Sequence, residues 1–405
     1  MQIRPIVVAL RRHRLATLLI ALEIALACAV LCNACFLIIH RAQRMSMVSG
    51  IDESSLAFVQ LTGFEPSAAM DLNARMLSGL ADVHGVQSVS VINTVPFGQH
   101  AGTVGISLDP SMRRIPAVID IYLGSPGSLQ ALGVRLIAGR MPQAADYVTL
   151  TNYFPANAPV LVTRSLAEHL WPDSDALGKE FWVGDHFHYR VAGVVDHLAI
   201  AQPGSRGARS VDWSVFAPAL PGPFLAGGYL LRAAPRDVPR VLRDARAAVL
   251  KIAPDVVLDQ DASQTISDLR FRYFENDRAM MRILIGVILA LLLVTALGIV
   301  GLASFWVGQR RKQIGIRRAI GATRGDILRY FQLENFLIVS IGIALGIILA
   351  YACNLMLMKH YELPHLPFYY LPIGAIALWL LGQLAVLGPA LRAAAVPPVV
   401  ATRSV

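Results

Sequence analysis

Four apolar runs constrain this chain more than any other feature. A helix needs about 20 residues to cross the hydrocarbon core of a bilayer. Four segments are long enough: Leu15–Ile39, Ile283–Val307, Phe336–Met358 and Tyr370–Leu391. Hydrophobic residues fill 55% of the 405 positions, and the excess is concentrated in these runs. The chain therefore reads as a membrane protein rather than a soluble one with a rich core. The first run is too long for the apolar region of a signal peptide. "IIHRAQR" follows it with no A-x-A site, so an uncleaved anchor is expected.

Basic residues in the short flanks set the expected orientation. Arg4, Arg11, Arg12 and Arg14 precede the first run, and Arg392 and Arg403 follow the fourth. Arg310, Arg311, Lys312, Arg317, Arg318, Arg324 and Arg329 lie between the second and third, whereas the loop between the third and fourth offers only Lys359. An even number of spans puts both termini on one side, here the cytoplasm. The segment from about 45 to 278 is then extracytoplasmic. Arg far outnumbers Lys, but this is read as genome composition and no nucleic-acid partner is expected.

That insert is large enough for one or two cores and reads as mixed α/β. Strands are expected at 55–63, 86–95, 116–123 and the start of 158–172, with a hairpin over 180–195 turning at Gly184-Asp185. Helices are expected at 66–82, with Met70, Ala74, Leu77 and Leu80 on one side, and at 237–254, followed by a short strand. Thr163 is a candidate N-cap, and the Gly/Ala/Ser-rich stretch 198–212 reads as a mobile loop.

Motifs exclude several chemistries. No phosphate-cradling G-x-x-x-x-G-K-[ST] loop, G-x-S-x-G elbow or H-E-x-x-H is present, so no catalytic residue is assigned. Asp185, His186, His188, Asp196 and His197 form a histidine-rich hairpin edge. A zinc site needs three or four convergent ligands, and a solvent-facing polar edge is the stronger reading, so no metal or other cofactor is expected. Cys28, Cys32, Cys35 and Cys353 all lie in apolar runs, which gives neither a disulfide framework nor a CxxC pattern. Glu23, inside the first span, either reaches the interface or faces the bundle in a role tied to conformational change. Glu334 stands at the start of the third span, where a charge costs little. Gly342 and Gly346 in "GIALG" allow close helix approach, either between subunits or within one.

The stretch 309–328, "QRRKQIGIRRAIGATRGDIL", stands out. Ile316, Ala319 and Ile320 share a helical face with Arg317 and Arg318 turned elsewhere. Gly321 breaks the helix, and Thr323 with Asp326 resembles a capping box that starts the next one. Two roles remain level on these residues alone: a helix lying on anionic lipid, or a docking helix for a cytoplasmic partner.

"VGQRRKQIGIRRAIGATRGDILRYFQLENFLIVSIGIALG" (307–346) closely resembles the signature of MacB/FtsX-type permeases of type VII ABC transporters. The segments 121–146, 158–183 and 189–197 resemble the MacB-like extracytoplasmic core domain, and 389–403 resembles the closing segment of the family. The resemblance implies a membrane α-helical fold of four transmembrane helices, with a large α/β extracytoplasmic domain inserted between helices 1 and 2. It divides the chain into 1–44 with the first helix, 45–278 with a porter-like part and a second subdomain, and an FtsX-like permease domain at 279–405 carrying a coupling helix at 309–321.

It also implies a non-catalytic permease subunit of a bacterial inner-membrane ABC transporter. Such a subunit works as a homodimer or heterodimer with two copies of a separate ATPase, and passes ATP-driven motion to the periplasmic domain. A periplasmic adaptor or outer-membrane factor is a further implied partner. MacB itself carries an N-terminal ATPase domain, whereas this chain begins about fourteen residues before its first span, so the ATPase is expected on another chain. Arg311, Gln313, Ile314, Gly315, Ile316, Arg317, Arg318, Ala319 and Gly321 match the coupling segment. The family usually has Glu where this chain has Gln313. An FtsX-like signalling subunit that regulates a periplasmic enzyme is the alternative.

Overall fold

A computed structural model describes residues 14–99, 102–184, 187–204, 210–361 and 367–397. Arg4, Arg11, Arg12, Asp185, His186 and Arg403 lie outside the described residues. The chain forms two compact units: residues up to Met45 together with those from Asn276, and an inserted unit, Ser46–Glu275.

The first unit contains four helices long and apolar enough to cross a membrane. They are α1 (Arg14–Met45), α7 (Glu275–Gln309), α9 (Arg324–Tyr361) and α10 (Tyr370–Ala394), with a short helix α8 (Arg311–Ala319) between the second and third. α1 packs against both α9 and α10, and Ile24, Ala27, Cys28 and Cys32 are buried among Ile338, Val339, Ile343, Ala375 and Leu378. Small residues permit this approach. A Cβ on Gly342 would lie 2.7 Å from Ile24 Cβ and 2.9 Å from the Ala21 carbonyl oxygen, and one on Gly346 would lie 2.8 Å from the Ala25 carbonyl oxygen. Both glycines therefore meet α1 of the same chain.

Polar side chains add stitches where no water competes. Asn33 donates across to Ala350 O at 3.1 Å. Asn335 donates to Gly382 O at 2.9 Å and Trp379 donates to Ser340 Oγ at 3.0 Å, tying α9 to α10. α7 differs from the other three. Only 11% of its most apolar stretch is buried, against 56% for α1, which leaves Leu289, Leu293, Val294 and Leu297 exposed.

The inserted unit holds two sheets. The smaller has the order β12 (Val257–Asp259), β1 (Leu56–Thr62), β11 (Gly228–Ala233), β2 (Val86–Val91), with every pairing antiparallel. The larger runs β4 (Ala117–Gly124), β3 (Gly102–Ser107), β8 (Glu180–Val183), β9 (Phe187–Val195), β7 (Pro159–Thr163), β10 (Ser214–Leu220), β6 (Val148–Thr149). β5 (Leu136–Gly139) pairs with β9, and the parallel pairing of β10 with β4 closes six of these strands into a ring. Closure removes the free edges that would otherwise recruit other strands. Helices α2 (Ala69–Ala81), α3 (Ser128–Leu132), α4 (Arg164–Leu170), α5 (Val238–Ile252) and α6 (Ile266–Tyr273) complete the unit.

Several sequence expectations shift. α2 buries Leu72, Asn73, Met76 and Leu80, while Met70 and Ala74 are exposed. The true inner face contains a polar residue, Asn73, whose amide donates to Leu225 O at 3.0 Å and accepts from the Tyr229 hydroxyl at 3.0 Å. The expected face of Met70, Ala74, Leu77 and Leu80 did not include it. Thr163 occupies the N-cap position of α4 but makes no capping bond, because its hydroxyl donates instead to Asp212 O. The described part of 198–212 is no loose loop: Leu198, Ala199, Ile200 and Ala201 are all buried.

The glycine contacts give a direct test. Gly346→Leu should lower the thermal midpoint in detergent by overpacking, at a cost of about 1–3 kcal/mol. Gly286→Leu should be near neutral, since nothing lies within 4 Å of a Cβ there. Equal midpoints for the two variants would contradict the close α1–α9 approach.

Candidate functional site

The site is α8 and what holds it. α7 ends because Arg310 leaves helical geometry, at φ −99°, ψ 9°. Its guanidinium donates to both carboxylate oxygens of Glu334 in α9, at 3.0 and 2.9 Å, and lies 5.6 Å from the Trp306 ring centre. Glu334 is 1% exposed. α9 begins at Arg324, so this residue lies ten positions inside the helix, with its carboxylate enclosed by protein. An unpaired carboxylate buried there would be costly; a charge-assisted bond from Arg310 Nη1 to both its oxygens offsets that cost.

The far end of α8 closes with equal definition. Gly321 has φ +107°. Its N–H donates to Arg318 O at 3.2 Å, and the Ala322 N–H donates to Arg317 O at 3.0 Å. This paired pattern satisfies the last carbonyls of a helix, and glycine suits the left-handed residue it needs. α9 then starts at once. The Asp326 N–H donates to Thr323 Oγ1 at 3.2 Å, and the Thr323 N–H donates back to Asp326 Oδ2 at 3.0 Å. This is a capping box with Asp in place of Glu.

Between these ends α8 has two faces. Ile314 and Gly315 are buried, with Ile314 packed among Val307, Ile327, Phe331, Ala390 and Ala393. Arg318 also turns inward, donating to Ala394 O at 3.2 Å and Val396 O at 2.7 Å at the end of α10. A cation there satisfies carbonyls that the helix itself leaves orphaned. Ile316, Ala319 and Ile320 face outward, with Ile320 81% exposed. Arg311, Lys312, Gln313 and Arg317 surround them, all exposed, and the Arg317 guanidinium lies 5.0 Å from the Tyr330 ring centre.

The other candidates lie apart from this site. Glu23 faces α7: a Cβ on Gly298 would lie 2.8 Å from its Oε2, and its Oε1 is buried without a hydrogen-bond partner. His197 Nδ1 is 2.9 Å from Asp212 Oδ2, and its Nε2 is 3.7 Å from Asp196 Oδ1. Burial pushes the Asp212 carboxyl up, while the hydrogen bond from Arg135 holds Asp196 below the usual carboxylate range. Among the described residues no three His, Cys, Asp or Glu side chains converge as a metal site. Cys28, Cys32, Cys35 and Cys353 are free thiols.

Sequence reasoning left Arg310, Trp306 and Tyr330 out of the site and gave Glu334 no partner there. The available signal was a carboxylate just before the third apolar run, close in sequence to the basic stretch 310–329.

Comparison with known proteins follows from these helices. Residues 285–398 match the FtsX-like permease C-terminal family. They form an FtsX-like permease domain. The chain is 37% identical over 93 residues to a macrolide export ATP-binding/permease protein MacB from Shewanella sp. strain ANA-3, covering 23% of this chain and 14% of that protein. It is 38% identical over 98 residues to MacB of Neisseria gonorrhoeae strain ATCC 700825 / FA 1090, covering 24% and 15% respectively. The chain thus aligns with about a seventh of the length of these relatives. Among solved structures it is similar to the periplasmic region of MacB from Actinobacillus actinomycetemcomitans, with a TM-score of 0.34 and 13% identity over 53% of this chain and 92% of that one.

The Arg310–Glu334 pair is testable by charge exchange. Glu334→Ala leaves Arg310 buried without its counter-ion and should cost about 3–5 kcal/mol, read as a lowered thermal midpoint of the purified chain. Arg310→Glu combined with Glu334→Arg should recover part of that loss. A double variant no better than the additive singles would show that the pair does not couple.

Proposed function

We propose that this chain is the permease subunit of an inner-membrane ABC transporter, and that α8 is where a separate ATPase subunit docks. The observation that carries the reading is the division of α8. Its inner face is clamped by Arg310, Ile314 and Arg318, while Ile316 and Ile320 project outward within a basic rim. An apolar centre with a charged border fits a protein partner offering an apolar groove and an acidic rim. A helix lying on lipid would not need both ends fastened to two other helices. The macrolide export relatives named above join ATP-binding and permease functions in their name, which supports an ATPase as that partner.

In this reading ATP binding and hydrolysis occur on two ATPase copies at the cytoplasmic face. The four helices pass the resulting motion to the inserted unit on the periplasmic side, for export or extraction of a substrate. Arg311, Gln313, Ile316, Arg317, Ala319 and Ile320 make the contact. Ile314, Gly315, Arg318 and Gly321 hold the helix in place for it. Gln313 lacks the carboxylate usual at that position, so the ATPase needs no cation opposite it. The open flank of α7 takes the second permease subunit, since it is the least covered of the four helices.

Co-purification tests the reading. Ile320→Asp and Ile316→Asp should each weaken capture of the ATPase by at least tenfold, about 1.4 kcal/mol. The thermal midpoint of the permease should hardly move, as is usual for exposed substitutions. Full assembly and unchanged ATP turnover by the Ile320→Asp complex would overturn the docking role of α8.

A further inference from the structure

Phe97 adopts a backbone conformation that an aromatic residue rarely takes. It occupies the third position of the turn Val95–Pro96–Phe97–Gly98, closed by the Gly98 N–H donating to Val95 O at 2.9 Å. Its φ is +66°. Glycine or asparagine is usual where a turn needs positive φ, and a bulky residue there is strained. Something must hold the ring in place.

A cage does so. The Phe97 ring is buried, 5.2 Å from the Arg270 guanidinium carbon, 5.8 Å from the Tyr273 ring centre and 5.9 Å from that of Phe274. Arg270 also donates to Glu53 Oε1 at 2.6 Å and to Met47 O at 2.6 Å. The Tyr273 hydroxyl donates to Pro203 O at 2.6 Å, and the Ala199 N–H donates to Ser49 O at 2.9 Å.

The chain positions give this cluster its meaning. Met47–Glu53 follow directly on the end of α1 at Met45, and Arg270–Phe274 directly precede α7, which starts at Glu275. Both covalent connections of the inserted unit therefore enter one cluster. The other two members are the β2–β3 turn, carrying Phe97, and the 198–203 segment between β9 and β10, buried at 198–201.

We propose that Arg270 and Phe97 are positioning residues forming the joint through which movement of α1 and α7 enters the inserted unit. Arg270 ties the two connections to each other, and the Phe97 ring ties them to the β2–β3 turn. Displacement is then delivered to the folded unit instead of being absorbed by slack in the connections. The strain at Phe97 persists because the cage requires a ring at that point. This inference rests on the transporter reading above and adds the output end of the same device.

The test uses the tagged full chain produced in its own bacterium, so that the native ATPase is present. The extracted complex is placed in lipid nanodiscs, and hydrogen exchange is followed with and without ATP plus vanadate. The wild type should show nucleotide-dependent exchange at 93–99, at 198–203 and in β1. Arg270→Gln and Phe97→Gly should lose that response while keeping ATP hydrolysis and the basal protection of the strands. Glycine suits the turn, so Phe97→Gly removes the ring without opposing the backbone; Phe97→Tyr should keep the response. Variants that respond as the wild type does would overturn the joint and leave the transporter reading standing. A wild-type complex with no nucleotide response in the inserted unit would overturn both.

Discussion

The buried pair between Arg310 and Glu334 is the interaction on which the α8 end of the bundle depends. A helix that stops at the edge of an apolar layer exposes carbonyls, and a carboxylate ten residues inside the next helix has no water to face. One guanidinium, 2.9–3.0 Å from both carboxylate oxygens, neutralises that carboxylate at the point where α7 gives way to α8. The same residue lies against Trp306 in the last turn of α7. The break between α7 and α8 is therefore a defined corner and not a flexible hinge. Because the corner is defined, the outward face of α8 has a defined direction.

A second constraint is the position of α1. It is remote in sequence from the other three helices, yet it packs against α9 and α10. Lipid tails give helices no hydrophobic reason to associate, so close contact has to come from small residues and a few polar bonds. Gly342 and Gly346 supply the first against Ala21, Ile24 and Ala25. The reach of Asn33 to Ala350 O supplies the second. α7 has only a little of either, and its apolar flank stays open. The bundle thus combines a tight set of three helices with one helix more loosely attached, a division suited to relative movement.

Much of this was legible in the sequence. Length and hydropathy gave the four helices, and Gly321 with Thr323–Asp326 gave the end of α8 and the start of α9, because both are local rules of backbone chemistry. The face of α2 was misread because Asn73 is polar yet buried, and its partners, Leu225 and Tyr229, lie about 150 residues away. Thr163 failed as a cap for a similar reason: a distant carbonyl, that of Asp212, takes its hydroxyl. The buried segment after β9 was grouped with the Gly- and Ser-rich residues that follow it, whereas its contacts are remote in sequence: the Tyr122 hydroxyl donates to Ala199 O at 2.6 Å and the Ala201 N–H donates to Asp120 Oδ2 at 2.8 Å. At the candidate site the outward residues were readable from spacing. The inward ties of Arg310 and Arg318 were not, since they depend on which helices lie beside α8.

Those inward ties change the meaning of the arginine-rich stretch. Charge alone would assign every arginine there to topology or lipid. Yet Arg310 and Arg318 face inward, one bound to α9 and the other to the end of α10. Arg311, Lys312, Arg317 and Arg324 stay exposed. A helix fastened at one end by an ion pair, at the other by backbone carbonyls, and at the middle by Ile314 cannot rock independently of the bundle. In the docking role proposed above, pressure on Ile316 and Ile320 is carried to α9 and α10 together. In that role the exposed isoleucines and the inward-facing arginines are two halves of one element: the first give a partner something to hold, and the second make that grip count.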